Sequence, residues 1–251
     1  DMEGFERERD NLHYTVAALK REGVYIYIAH LLRHSRKTIP GKFAGPGYGQ
    51  NIRPYGLSFF NEHFREHYMS YVTETLSAEN PYTGLPLAKD PAVAFLEIQN
   101  ETGLFWWTFD PKKMLPQTRM LIEKAFGDWA ARKHGSIKAA LRAWGTGNAP
   151  GEPSVDKPDE GRLGLYRAAL LRSDAWAAKN RNPQRASEQL QFMGETQKSF
   201  YETMIPRLRQ ETGLESLIAC SNWKTADPKT LGVLERYTYT AGDVICRNVY
   251  Y

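Results

Sequence analysis

Several absences bound what this chain can be. No apolar stretch approaches the roughly 20 residues that a membrane-spanning helix needs, so a membrane partner is not expected. Only two cysteines occur in 251 residues, Cys220 and Cys246, and they lack metal-ligand spacing. Each lies in an apolar, strand-like run, so two buried thiols in neighbouring core strands are expected rather than a disulfide. The net charge is only +4, with basic residues scattered among acidic ones. A nucleic-acid binder needs a concentrated basic stripe, and none is present. Gly45-Pro46-Gly47-Tyr48-Gly49 lacks both the lysine and the following helix of a phosphate-binding loop. The Gly-x-Ser-x-Gly elbow of an esterase is missing as well. A signal peptide and an initiator methionine are also lacking: Asp1 opens directly into a helical pattern, and Val249-Tyr250-Tyr251 closes a strand without a stop signal. The chain therefore reads as cut at both ends, and the missing signal says nothing about localisation.

What is present suits one large α/β domain. The length is close to the roughly 250 residues of a (β/α)8 barrel. Hydrophobic and charged fractions of 41% and 25% are ordinary for a globular protein. The aromatic supply is larger: 14 Tyr, 11 Phe and 6 Trp. Sugar rings stack their C–H faces on such side chains, but large cores use them too.

The pattern alternates helix and strand. Apolar spacing from Phe5 to Arg21, with Gly23 as a stop, predicts a helix, and Val24–His30 a strand. Residues 35–61 read as loop, Phe59–Leu76 as a helix with Phe60, Phe64, Tyr68, Tyr71 and Val72 inward, and Asn80–Gly84 as a turn. A buried strand runs from Ala92 towards Glu101. Helices follow at Pro116–His134, from a Ser136 cap to Trp144, and at Pro183–Thr212 closed by Gly213. Residues 145–161 form an exposed Pro/Gly-rich loop. Ser216–Ser221 reads as a strand, Pro228–Glu235 as a short helix and Asp243–Tyr250 as a last strand. Such alternation indicates parallel βαβ units. If the fold is a (β/α)8 TIM barrel, these strands are too few to close it, and the chain is an incomplete barrel, one partial domain over 1–251.

The chemistry concentrates in Ala92-Val93-Ala94-Phe95-Leu96-Glu97-Ile98-Gln99-Asn100-Glu101. A nearly continuous apolar run after Asp90-Pro91 marks a strand buried on both faces, and it ends in an amide followed by a carboxylate. In parallel barrels the carboxyl ends of the strands face the active-site mouth. Glycoside hydrolysis needs a carboxylic acid to protonate the leaving oxygen and a second carboxylate. An adjacent amide would donate to a sugar 2-hydroxyl. The alternative, that Asn100-Glu101 merely ends the strand and caps a turn, is equally open on spacing alone. Glu97 shares pleat parity with Glu101; electrostatic coupling to Glu101 is open to it, but a structural ion pair inside the barrel is the favoured expectation.

Asn80-Pro81-Tyr82-Thr83-Gly84-Leu85-Pro86, then Asp90-Pro91-Ala92-Val93-Ala94, then Glu97-Ile98-Gln99-Asn100-Glu101 resembles the clan A glycoside hydrolases, nearest the cellulase-like group around family 5. The resemblance extends to Ser221-Asn222-Trp223 and to Asp243-Val244-Ile245 with Tyr250. It implies that this chain holds strands three to six, that Glu101 is the acid/base of a retaining mechanism on β-linked saccharides, and that Asn100 is the 2-hydroxyl partner. It implies a secreted or periplasmic protein, and a nucleophile on a strand beyond Tyr251. Asn248 stands where such enzymes usually carry a histidine.

Weaker candidates complete the site. His30 ends its strand at the same rim, and His30, Trp106, Asn222, Trp223 and Tyr250 are candidate substrate contacts. Of Trp106 and Trp107, at least one is expected to pack in the core while the other stacks on a sugar. His63 and His67 lie four apart on a helix without a third ligand, and Arg33, His34, Arg36 and Lys37 read as a solvated basic cluster. No metal or organic cofactor is required, since two carboxylates and water suffice. The rival readings are a non-catalytic carbohydrate-binding barrel and a barrel enzyme of unrelated chemistry.

Overall fold

The computed structural model describes residues 2–29, 38–105 and 109–249. It is a mixed α/β structure in which helices pack on a parallel sheet. Helix α1 (Met2–Arg21) leads into strand β1 (Ile26–Ile28). Then come α2 (Glu62–Ser77), β2 (Val93–Gln99), α3 (Pro116–His134), α4 (Ile137–Trp144), α5 (Pro183–Thr212), β3 (Leu217–Ser221) and α6 (Leu231–Tyr239). Among the described residues no helix is long and apolar enough to cross a membrane.

All pairings in the main sheet are parallel and its order is β1-β2-β3. Tyr27 pairs with Phe95, and Phe95, Glu97 and Gln99 pair with Leu217, Ala219 and Ser221. A further parallel bridge joins Ala219 to Val244. Spatial order therefore follows chain order, each crossover adding the next strand on the same side. A doubly wound sheet reverses direction at a switch point; this one does not among the described strands.

Ile26, Ile28, Leu96, Ile98, Ile218 and Cys220 share one buried core with Met69, Val72 and Leu76 of α2 and Phe200 and Met204 of α5. A second knot of rings binds the helices to each other. Phe126 lies 6.1 Å from Trp129, 5.6 Å from Trp144 and 5.2 Å from Phe192. Much of the aromatic supply thus goes to packing: Trp129 and Trp144 are buried, whereas Trp176 is half exposed.

Local chemistry explains the helix ends. Pro116 and Pro183 take first-turn positions that need no N–H donor, and Gly135 and Gly213 close their helices in left-handed conformation. Ser136 accepts the Ala139 N–H at 3.1 Å and starts α4. Elsewhere the structure departs from the sequence reading. The helix expected over Phe59–Leu76 is two helices, Leu57–Phe60 and α2, broken at Asn61. Asn61 is extended, its side chain accepting the Phe64 N–H at 2.8 Å and donating to the Ala44 carbonyl at 2.9 Å. The last short helix begins at Leu231 instead of Pro228, because Asp227 accepts the Leu231 N–H at 3.0 Å and Pro228 lies in the preceding turn. Among the described residues of the strand expected over Asp243–Tyr250, only the Val244 bridge is found. Residues 35–61 contain a two-residue ladder, Ile39–Pro40 with Asn51–Ile52. Both thiols are free, but only Cys220 is buried; Cys246 is half-buried on the exposed final segment.

Candidate functional site

The site is built where three neighbouring chain segments leave the sheet. β2 ends at Gln99, opposite Ser221 of β3, so Asn100 and Asn222 emerge at the same level. The Asn222 side-chain NH2 donates to Asn100 Oδ1 at 2.9 Å, and its Oδ1 accepts the Glu101 backbone N–H at 3.1 Å. The third segment adds Asn248. Its N–H donates to the Asn222 carbonyl at 2.6 Å, and its side-chain amide donates to Glu101 Oε1 at 2.6 Å. Glu101 itself is partly exposed.

The backbone at Glu101 is strained. Its φ is 47°, in the left-handed region; among the described non-glycine residues only Asn148 shares a positive value. Asparagine tolerates that region far better than glutamate does. Such strain costs on the order of 1–3 kcal/mol and persists where surroundings over-determine it. Here the amides of Asn222 and Asn248 grip both ends of the residue.

Beneath the rim lies a second carboxyl. Glu97 is fully buried. Tyr27, whose ring lies 6.0 Å from Phe95, donates its hydroxyl to Glu97 Oε2, while Oε1 is buried without a hydrogen-bond partner. The expected ion pair is not found: no described cation reaches Glu97, because β1 places a phenol opposite it and not a base. Burial pushes Glu97 up to about 7; the Tyr27 hydrogen bond opposes this and the Glu101 charge adds to it. Burial and the Glu97 contact likewise push the Tyr27 phenol up, so it remains a donor. Gln99 completes the floor, donating to Ser58 Oγ at 2.7 Å and accepting from the Tyr201 hydroxyl at 3.3 Å.

A second buried carboxyl stands behind β3. Glu235 accepts the Thr225 N–H at 3.0 Å and Arg247 at 3.2 Å, and burial pushes it up to about 7. Thr225 in turn donates its hydroxyl to the Phe105 carbonyl at 3.2 Å, tying the loop after Trp223 to the loop after Glu101.

Of the residues singled out from sequence, the structure brings together Asn100, Glu101 and Asn222, with Trp223 following half-buried. His30, Trp106 and Tyr250 lie outside the described residues, as do Trp107 and the basic cluster of Arg33, His34, Arg36 and Lys37. His67 stacks on Phe43 at 3.8 Å, and among the described residues no group of three His, Cys, Asp or Glu side chains is arranged to hold a metal. Sequence reasoning missed Tyr27, and noted Asn248 only as a departure from a resembled pattern. Register carried the signal for Tyr27: a polar residue between Ile26 and Ile28 must face the side opposite the isoleucines, the side of Glu97.

No family model matches this chain, and no curated protein matches it. A solved structure described as "Structural analysis of an exo-beta-agarase" aligns with a TM-score of 0.48 and 13% identity. The alignment covers 88% of this chain and 26% of that one, so this chain spans about a quarter of its length.

Proposed function

We propose that this chain carries the acid/base half of a retaining glycoside hydrolase site, built on part of a (β/α)8 barrel and acting on β-linked poly- or oligosaccharides. The observation that carries the reading is the convergence on Glu101. A partly exposed carboxylate sits at the carboxyl end of a central parallel strand, on strained backbone, held by amides from the next two segments. Such strand ends are where barrel enzymes place their chemistry.

In this reading Glu101 protonates the glycosidic oxygen as the bond breaks, then takes a proton from water in the second step. Asn222 occupies the Asn100 carbonyl oxygen, which leaves the Asn100 NH2 as donor to a sugar hydroxyl. Retention needs a second accessible carboxylate about 5–5.5 Å away. Glu97 does not qualify, since it is enclosed and bonded by Tyr27; the nucleophile is assigned to a further strand of the same barrel. His30, Trp106, Trp223 and Tyr250 remain proposed substrate contacts.

One observation favours a second reading. The Asn248 amide occupies one oxygen of Glu101, which suits a carboxylate that only accepts sugar hydroxyls in a non-catalytic binding barrel. Glu101→Gln in the full-length protein, assayed on a panel of β-linked polysaccharides, separates the two. A hydrolase loses turnover and keeps binding. Undiminished turnover removes Glu101 from the acid/base role, and binding without turnover in the wild type establishes the second reading.

A further inference from the structure

We infer that residues 166–181 form an arm that presents Trp176 as a stacking platform for a neutral saccharide, beside a cavity that receives a further sugar unit. The inference rests on the carbohydrate reading above and extends it beyond Glu101; it does not require Glu101 to be the acid/base. The arm sits on the two loops that leave the carboxyl ends of β2 and β3. The Ala168 N–H donates to the Phe109 carbonyl at 2.8 Å, on the loop that carries Glu101. The Ser173 hydroxyl donates to Asp227, on the loop that carries Asn222. Helix α5 holds the base of the arm: Gln189, fully buried, accepts the Tyr166 N–H at 2.8 Å and donates to the Tyr166 carbonyl at 2.9 Å. The arm and Glu101 therefore share one end of the sheet.

The arm is braced internally as well. Arg181 donates to the carbonyls of Leu170 and Arg172 at 2.6 and 2.8 Å. Asp174 accepts the Ala177 N–H at 2.9 Å and starts a short helix, Ala175–Lys179, and Asn180 donates back to the Trp176 carbonyl at 2.7 Å. On this fixed backbone the Trp176 side chain stands 50% exposed. Among the described tryptophans, Trp129 and Trp144 are buried and Trp223 is half-buried. An exposed indole forgoes the burial that stabilises the others, while a braced one loses little freedom when a ligand stacks on it. The Arg167 guanidinium lies 5.9 Å from the Trp176 ring centroid. Arg167 also lines a cavity of about 210 Å³, together with Asp110, Lys112, Glu152, Leu165 and Leu170. Apolar walls with a few polar groups suit a small polar ligand. Asp110 and Glu152 balance Lys112 and Arg167, so the lining carries no net charge to draw an anionic sugar. Hydroxyls can instead donate to the carboxylates and accept from the cations while a C–H face covers the indole. This combination fits neutral sugar units and not uronates.

Calorimetric binding to the full-length protein tests the platform, with Glu101→Gln as the background that preserves the ligand. The probes are neutral β-linked glucan, mannan, xylan and galactan oligosaccharides, from disaccharide to octasaccharide, and β-linked oligomannuronates of the same lengths. In the neutral series that binds, affinity should climb with length. Trp176→Ala should weaken the longest members by about tenfold, the worth of one stacked ring, and leave the disaccharide unchanged. Trp176→Phe should restore most of that loss, and Arg167→Ala should give a smaller loss in the same long members. Affinity that stays unchanged in Trp176→Ala, or falls equally at every length, overturns the platform. A lowered unfolding midpoint with unchanged affinity shows that the ring packs against protein, and overturns it too. Oligomannuronates bound as tightly as the neutral series overturn the neutral preference. Full turnover in Glu101→Gln overturns the acid/base assignment alone, and a length-dependent loss in Trp176→Ala upholds the platform even then. A wild type that binds none of the probes overturns the platform and the carbohydrate reading together.

Discussion

Two glutamates in this chain are equally buried and entirely differently treated. Glu123, on α3, receives the Arg162 guanidinium at 3.1 and 2.7 Å, the Ser154 hydroxyl at 3.0 Å and Arg119 at 3.5 Å. Glu97, on β2, receives one phenol and no cation. Both are 0% exposed. The first clamps the 154–163 loop to the helix layer. The second stands beneath the strand end that carries Glu101, with one of its oxygens unpartnered. Buried charge alone is thus a poor guide to function; the completeness of its partners separates the two cases.

The sharpest way to test the contrast is at the rim. Glu101→Gln is expected to lower turnover by about 10²–10⁴-fold, the usual worth of a positioned acid/base, with little change in unfolding midpoint. Comparable loss in Glu123→Gln per folded molecule would erase the distinction. Next in size, Glu123→Ala should cost about 3 kcal/mol in urea unfolding, because the buried Arg162 loses both bonds to Glu123 and keeps only that to Glu160. A loss below about 1 kcal/mol would mean that the Arg162 network re-forms around water.

A smaller effect is expected from pH. The Glu97 carboxyl is raised from 4.5 to about 7 on folding, so the folded state binds more protons than the unfolded chain between those values. Its contribution to stability is full below about pH 4.5 and is lost as pH rises through about 7, by no more than about 3 kcal/mol. Glu235 is raised over the same window, so Glu97→Gln should flatten the stability profile only in part. A slope unchanged in that variant would show that Glu97 is not the group titrating. Smallest of all, Asn222→Ala removes two side-chain hydrogen bonds at the rim and should cost about 1–2 kcal/mol. Its sharper effect should fall on the Glu101 backbone, read as increased amide exchange at that residue.

Much of the scaffold was legible in the residues themselves. The bounds of α3, α4 and α5 follow from Pro116, Ser136, Pro183 and the closing Gly135 and Gly213, whose effects act within one helical turn. The break at Asn61 was not legible, because apolar spacing continues across it while the Ala44 carbonyl, 17 residues away, captures the amide. Nor was the loss of strand order after Val244, since a β-rich run needs a paired neighbour to become a strand.

The same division holds at the candidate site. Sequence alone determined that a buried strand ends in Asn100-Glu101, since an apolar run and an abrupt polar stop are local facts. Tertiary structure decided what surrounds that end. Asn222 and Asn248 reach Glu101 from 121 and 147 residues away, and Tyr27 reaches Glu97 from 70. Those meetings depend on strand register, which is set by the packing of the whole sheet against its helices and not by any neighbouring residue.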